Sequence, residues 1–399
     1  MKILHVIATL SPRSGGPARG LNDLTRFQAL SGLDVAVFST NTDYPDGVID
    51  VPVNVPVLKN GVWFHYFSVQ FSPLLVSLPM AFELVRSLKN FDLVHIHGLY
   101  RFPTTFAAYL SQRYGIPYVI QPHGSLDPFL YKRSSHNILA KRIYERIFDL
   151  PNLNAASAIH FTTPEERLKT AFLNLKPPGI IVSNGIDWTR FESLPPKGDM
   201  RRKLGVGDAP MILFLGRINF KKGFDLLVEA FARVAAYRND AVLVIAGPDN
   251  EGYAKVVREH IERRELATKV HWPGMLHGRE VLEAYVDADV FVLPSYSENF
   301  GLAVAEAMAC GLPVVISDQV DIWPEVSGAG SGYVVRLDGR EIADAILAII
   351  EDKALGMRMG AAGRKFARSR YAYHLIVQEL KNVYEEIINS ESTDNKALC

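Results

Sequence analysis

Short apolar runs alternate with stretches of helical period along almost the whole chain. In the first half the runs cover residues 3–8, 35–39, 93–96, 118–120 and 158–161. Stretches such as 19–30 and 104–113 lie between them, with apolar residues at helical spacing. The second half repeats the arrangement, with runs at 211–215, 242–246, 270–272, 290–293 and 314–316 and helical patterns at 224–235, 253–264 and 280–284. This alternation predicts βαβ units and parallel sheets. Two Pro/Gly-rich segments, Lys176-Pro177-Pro178-Gly179 and Leu194-Pro195-Pro196-Lys197-Gly198, punctuate the middle. They place a domain boundary near residue 178. The first domain is then 1–178 and the second 179–371. After Arg364 an apolar face of Phe366, Tyr371, Leu375, Leu380, Val383 and Ile387 predicts one or two terminal helices.

Length and composition agree with this division. A chain of 399 residues exceeds one ordinary core, and its apolar and charged fractions are those of a soluble globular protein. The formal net charge is zero, which weighs against nucleic acid as a partner. The balance is uneven: residues 1–180 carry a net of +5 and the remainder −5. Much of the basic excess lies in Lys132, Arg133, Lys141, Arg142 and Arg146. From residue 138 to 148 apolar residues recur at helical spacing among these cations. Such a stretch can lie on an anionic membrane surface, or simply face its own domain. The two cysteines, Cys310 and Cys399, form no disulfide framework or metal-site spacing. A reducing, cytoplasmic setting is expected, with peripheral contact on the inner face of the membrane as an open alternative. The start of the chain lacks the small-residue cleavage site of a signal peptide. The longest apolar candidate, 71–85, is broken by Pro73, Pro79 and Glu83.

The chemistry concentrates after the strands. Glu298-Asn299-Phe300-Gly301-Leu302-Ala303-Val304-Ala305-Glu306 follows a buried run that ends at Pro294. Strand, polar loop and helix in this order present ligands at the carboxyl end of a parallel sheet. Glu298 on the loop, and Glu306 about two turns into the helix, can each take a ligand hydroxyl. The N–H groups of Phe300, Gly301 and Leu302 suit a phosphate. In Gly216-Arg217-Ile218-Asn219-Phe220-Lys221-Lys222-Gly223, Arg217 and Lys222 can converge on one diphosphate. After the first run, Gly15 and Gly16 allow close backbone approach to a ligand, or form an ordinary turn. His123-Gly124 follows another strand and can hydrogen-bond a sugar or move a proton. In His95-Ile96-His97 the two rings share a strand face. His95 reads as a core histidine, and no carboxylate or cysteine stands at metal-ligand spacing. Asp287-Ala288-Asp289 precedes a strand and reads as a helix end rather than a metal signature. The dinucleotide fingerprint and the Walker loop are both missing.

Taken in order, Gly15-Gly16-Pro17, His123-Gly124, Asn184-Gly185-Ile186-Asp187, Gly216-Arg217 with Lys222-Gly223, and Glu298 through Glu306 resemble the retaining glycosyltransferases of family 4, the group 1 glycosyltransferases. The resemblance implies an α/β GT-B fold: two doubly wound Rossmann-like domains facing a cleft, with a C-terminal helix, about 372–399, crossing back to the acceptor-binding N-terminal domain. It implies that Glu298 contacts donor-sugar hydroxyls and Glu306 the ribose. Arg217 and Lys222 would neutralise the leaving diphosphate, and His123 would meet the donor sugar. Gly15 and Gly16 would approach the diphosphate or the acceptor. The backbone of Pro273-Gly274-Met275-Leu276, with Met275 and Leu276, would lie beside the nucleobase. The expected partners are a UDP- or GDP-type sugar and a glycan, glycolipid or small-molecule acceptor. No metal or other cofactor is expected. A nucleotide-sugar epimerase or hydrolase on the same fold, or a non-catalytic sugar-nucleotide binder, are the alternatives.

Overall fold

The computed structural model describes residues 1–43, 47–132, 138–249 and 251–397. Arg133, part of the basic stretch, lies outside the described residues. The chain divides into two units, Met1–Gly185 with Tyr373–Cys399, and Ile186–Ala372.

The first unit contains β1 (Lys2–Thr9), β2 (Asp34–Thr40), the short β3 (Thr42–Asp43) and β4 (Gly47–Val48), β5 (Pro56–Lys59), β6 (Val62–Phe67), β7 (Leu93–His97), β8 (Tyr118–Gln121), β9 (Ala158–Phe161) and β10 (Gly179–Ile181). Eight of these form one sheet in the order β10-β9-β8-β7-β1-β2-β6-β5. All neighbours are parallel except β5, which runs antiparallel to β6. The sheet separates two apolar clusters by strand alternation. Leu4, Val6, Val94 and Ile96 face one side, and Ile3, Ile7, Val35 and Val37 the other.

β5 and β6 escape the apolar-run reading. They are joined at Asn60-Gly61, both with positive φ, 54° and 79°. That is the backbone of a type I′ hairpin, and the Asn-Gly pair is its sequence signature. β10 also corrects the boundary. Gly179–Ile181 pairs with β9 as the edge of the first sheet, so the chain leaves the first unit after Gly185 rather than near residue 178.

The second unit contains β11 (Met211–Leu215), β12 (Val242–Ala246), β13 (Val270–Gly274), β14 (Val290–Leu293), β15 (Val314–Ser317) and β16 (Gly332–Val335). Their order is β13-β12-β11-β14-β15-β16, all parallel. This is the doubly wound Rossmann order, with its switch point between β11 and β14. One continuous apolar core packs its strands and helices.

The terminal helices are Lys353–Tyr371 and Tyr373–Ala397. Ala372, with ψ at 130°, breaks the helical run and resets the buried face. Tyr373, Ile376, Val377, Leu380 and Tyr384 are buried, whereas Leu375, expected inside, is exposed. The last helix belongs to the first unit. The Tyr373 hydroxyl donates to the Gly20 carbonyl at 2.8 Å. A Cβ on Gly185 would fall 2.4 Å from the Tyr373 ring, so only glycine fits there. No helix of the described residues is long and apolar enough to cross a membrane.

Candidate functional site

The switch point of the second sheet gathers most of the residues singled out in the sequence. Ile212 and Leu213 on β11 pair with Val290 and Phe291 on β14. The loops that leave these two strands therefore emerge side by side. Gly223, at φ 66°, ends the first of them, and a Cβ there would lie 2.0 Å from the Pro294 carbonyl oxygen. A Cβ on Gly247 would lie 1.9 Å from the Gly216 oxygen. These glycines let three loops pack backbone to backbone.

Within this frame Lys222 forms an ion pair with Glu298. Asn219 caps the short turn Phe220–Lys222 by accepting from the Lys221 N–H at 2.9 Å. The Tyr296 N–H donates to the Lys221 carbonyl at 2.7 Å. Glu298 is held at both backbone ends, its N–H to Gln319 at 3.1 Å and its carbonyl from Asp321 at 3.0 Å. Arg217 is exposed and, among the described residues, has no ion pair. The sequence places Arg217 and Lys222 on one loop, and the tertiary fold adds the carboxylate between Lys222 and the neighbouring strand end.

Gly301, at φ 75°, is the N-cap, so the helix begins at Leu302 and runs to Ala309. Glu306 is thus one turn into the helix rather than two. The residue is only 4% exposed, and the Tyr285 hydroxyl donates to Glu306 Oε2 at 3.2 Å. The first N–H groups of this helix lack intrahelical acceptors, the usual anion-binding feature of a helix start. Asn299 is partly exposed on the same loop. The Phe300 ring is in the core, 5.3 Å from Tyr371, which leaves only its backbone for a ligand.

Met275 lines an open cavity of about 800 Å³ with Ile218, Gly247, Gly274 and Trp272. The Arg258 guanidinium lies 4.3 Å over the Trp272 ring. The Leu276 side chain packs against the core, which leaves its backbone for a ligand. Asp287 ends the helix Arg279–Asp287 and accepts from the N–H groups of Gly198 and Arg201. Asp289 binds the Arg201 guanidinium at 2.8 Å. Both carboxylates hold structure.

In the first unit, Gly15, at φ 93°, caps the helix Gly16–Leu30. A Cβ on Gly16 would meet nothing within 4 Å beyond its own helical turn. The fold itself therefore leaves room beside the helix start. His123 follows β8 at φ 53°, a left-handed conformation unusual for histidine. Its turn is anchored by buried Glu166, which accepts from the Gly124 N–H at 2.9 Å and the Thr162 N–H at 2.7 Å. Loss of solvation lowers the His123 pKa to about 3. His123 Nε2 lies 3.1 Å from His97 Nδ1.

His97 continues into a cluster that the sequence did not assemble. His5 on β1 stands opposite His95 on β7, and His160 on β9 joins them. Ring nitrogens of His5, His95 and His97 lie within 4.8 Å of one another, close enough to share a metal ion. The missing third histidine was legible only in the strand alternation of β1. Burial lowers His5 and His160 to about 4, and His95 and His97 well below their ordinary value.

Residues 196–366 match the family described as glycosyl transferases group 1, and residues 15–185 the glycosyl transferase 4-like domain. An alpha-maltose-1-phosphate synthase of Mycobacterium tuberculosis is 31% identical over 318 residues, 74% of this chain and 79% of that protein. Among solved structures, sucrose-phosphate synthase from Thermosynechococcus elongatus superposes with a TM-score of 0.79 at 21% identity, over 98% of this chain and 100% of that one. Anabaena HepE in complex with UDP and glucose gives 0.78 at 20% identity, over 97% and 100%. The fold is thus GT-B, and the chain belongs to the group 1 glycosyltransferases.

Proposed function

We propose that the protein moves a glycosyl group, with retention and without a metal, from a UDP- or GDP-type sugar to a hydroxyl of a glycan, glycolipid or small-molecule acceptor, in polysaccharide or glycoconjugate synthesis. The observation that carries this reading is the Lys222–Glu298 ion pair at the switch point. One partner is a cation for a diphosphate and the other an acceptor for sugar hydroxyls, held together at the place where such folds bind nucleotides. Glu306, buried one turn into the next helix, suits the ribose hydroxyls. Arg217, Lys222 and the helix start at Leu302 stabilise the charge that grows on the departing diphosphate. The bond from the anomeric carbon to the diphosphate breaks as the bond to the acceptor oxygen forms on the same face. The acceptor proton leaves with the diphosphate. The open space at Gly16 supports close approach of a ligand in the first unit, and the Met275 cavity supports a nucleobase. HepE, with UDP and glucose, makes UDP-glucose the first donor to try.

Product analysis with UDP-glucose and GDP-mannose, with and without candidate acceptors, tests the reaction. Transfer with an unchanged anomeric configuration is expected. Free sugar or an isomerised donor without acceptor would instead identify a hydrolase or an epimerase.

The acceptor side has its own observation. Leu139, Ile143 and Ile147 are 70%, 50% and 56% exposed and recur every four residues on the helix Ile138–Tyr144 and the π-helical turn Glu145–Asp149. Arg142 and Arg146 are exposed beside them. Lys141 departs from the expectation: its ammonium sits 4.1 Å over the Tyr100 ring and is half-buried. An anionic bilayer fits this face, with the apolar residues inserted and the arginines at the headgroups. Sedimentation with anionic liposomes should show salt-sensitive pelleting that an Arg142→Glu/Arg146→Glu variant loses. A soluble acceptor is indicated if nothing pellets at low salt.

A further inference from the structure

Five histidines of the first unit and two helix side chains form one unbroken hydrogen-bonded line. It begins at the Val182 carbonyl, 2.8 Å from His160 Nε2. A carbonyl can only accept, so His160 Nε2 carries a proton. His160 Nδ1 then accepts from His95 Nε2, 3.3 Å away. His95 Nδ1 accepts from the Tyr384 hydroxyl at 2.7 Å. That hydroxyl has spent its one proton, so it accepts from Gln28 Nε2 at 3.3 Å. The amide is thereby oriented, and its Oε1 accepts from His5 Nε2 at 2.7 Å. His5 Nδ1 accepts from His97 Nε2 at 2.9 Å, and His97 Nδ1 from His123 Nε2 at 3.1 Å.

A neutral imidazole has one donor and one acceptor, so every link dictates the next. The opposite direction fails at the Val182 end, where two acceptors would meet. The flipped amide fails too, because Tyr384 would have to donate twice. Burial keeps the five rings neutral, as their lowered pKa values indicate.

We infer that this relay holds His123 in its Nε2–H tautomer, with Nδ1 left as a hydrogen-bond acceptor, and that Tyr384 on the C-terminal helix is a positioning residue for it. His123 then receives a hydrogen from a ligand hydroxyl and does not donate one to an oxyanion. The second half of this statement rests on the proposed transfer, whereas the tautomer does not. The left-handed backbone at His123 holds the ring at the end of the relay at a conformational cost. The relay also accounts for the closeness of His5, His95 and His97. Both nitrogens of each ring are engaged in it, and a metal ion would have to displace these bonds.

Long-range proton–nitrogen correlation on the full chain, labelled with ¹⁵N-histidine, tests the inference. The His123 signals are those missing from His123→Gln. In the wild type, all five rings should carry the proton on Nε2. Tyr384→Phe removes one hydroxyl and frees the Gln28 amide to reverse, so His123 should become a mixture of tautomers while a native melting transition persists. His123 protonated on Nδ1 in the wild type overturns the relay, whether or not the variant folds. So does a folded Tyr384→Phe with an unchanged pure tautomer. Displacement of the His5, His95 and His97 signals by one equivalent of zinc would identify a metal site instead. Absence of transferase activity with the tautomer intact would count only against the proposed function.

Discussion

The two sheets share parallel strands and a switch point, yet they are built differently inside. The second unit has one continuous apolar core, and buried charged groups such as Glu306, Asp287 and Arg201 stand on helices rather than within its strands. The first unit carries polar rings within the strands themselves. His5, His95 and His160 occupy mid-strand positions on the face that Ile3, Leu93 and Ala158 share. The helix Gly16–Leu30 answers them with Gln28, and the helix Tyr373–Ala397 with Tyr384. A buried polar group without a partner costs about 1–3 kcal/mol. The first unit therefore depends on every member of its line being satisfied. The second unit's strands depend on packing, and Arg217, Lys222 and Glu298 stand on the loops beyond them.

Acid should break this comparison most strongly. His5 and His160 are near 4 in the folded state against an ordinary 6.5. The folded form then binds fewer protons than the unfolded chain between those values, so stability falls as pH drops from about 6.5 toward 4. At pH 5, each of these two rings should cost about 2 kcal/mol relative to pH 7. The second unit holds His271, partly buried and lowered in the same direction, but no such cluster among the described residues. Calorimetry between pH 7 and 5 should show the first unit's transition moving down much more steeply than the second's. Parallel shifts would contradict the neutral histidine core.

The next effect belongs to the second unit. Arg217→Ala and Lys222→Ala should each lower turnover by roughly a hundredfold or more, the usual scale for losing a group that stabilises transition-state charge. The donor Michaelis constant should change less. Wild-type turnover in both variants would remove the diphosphate assignment. These changes should leave the first unit's acid transition in place, since they touch only switch-point loops.

Glu306→Ala should weaken binding of the free nucleoside diphosphate by about 1.5–3 kcal/mol, the worth of a charged hydrogen bond. Titration calorimetry reads this directly, and an unchanged affinity would detach Glu306 from the ribose. The smallest expected effect is that of a chelator. With Arg217, Lys222 and a helix start facing the diphosphate, excess EDTA should leave the rate unchanged. Loss of activity, restored by a divalent ion, would point to metal-assisted departure of the diphosphate.

The strand runs at 211–215, 242–246 and 290–293 were legible to the residue, because strands buried on both faces are continuous apolar runs, and the run at 158–161 was too, although His160 interrupts it. β5 and β6 were not, although Asn60-Gly61 marks their turn. The edge strand β5 is mostly exposed and breaks the apolar pattern. At the site, Glu298, Glu306, Arg217 and Lys222 stood out because charged residues on a strand–loop–helix junction have few structural uses. Phe300 and Leu276 turn their side chains to the core, which leaves open the backbone roles expected of them. The Lys141 cation is taken up by the Tyr100 ring.

The amino-acid sequence alone determined the alternation of strands and helices, the two-unit organisation and the loops that carry the chemistry. Each of these is written in local spacing, since burial of one element is a property of its own period. Only the tertiary structure decided the sheet orders, the crossing between units at Gly185 and Tyr373, the pairing of Lys222 with Glu298, and the histidine line. His95 and Tyr384 are 289 positions apart in the chain, and the Lys222–Glu298 pair spans 76. Local periodicity says that a residue is buried. Its hydrogen-bond partner is set by which strands and helices become neighbours, and that is settled only when the whole core packs.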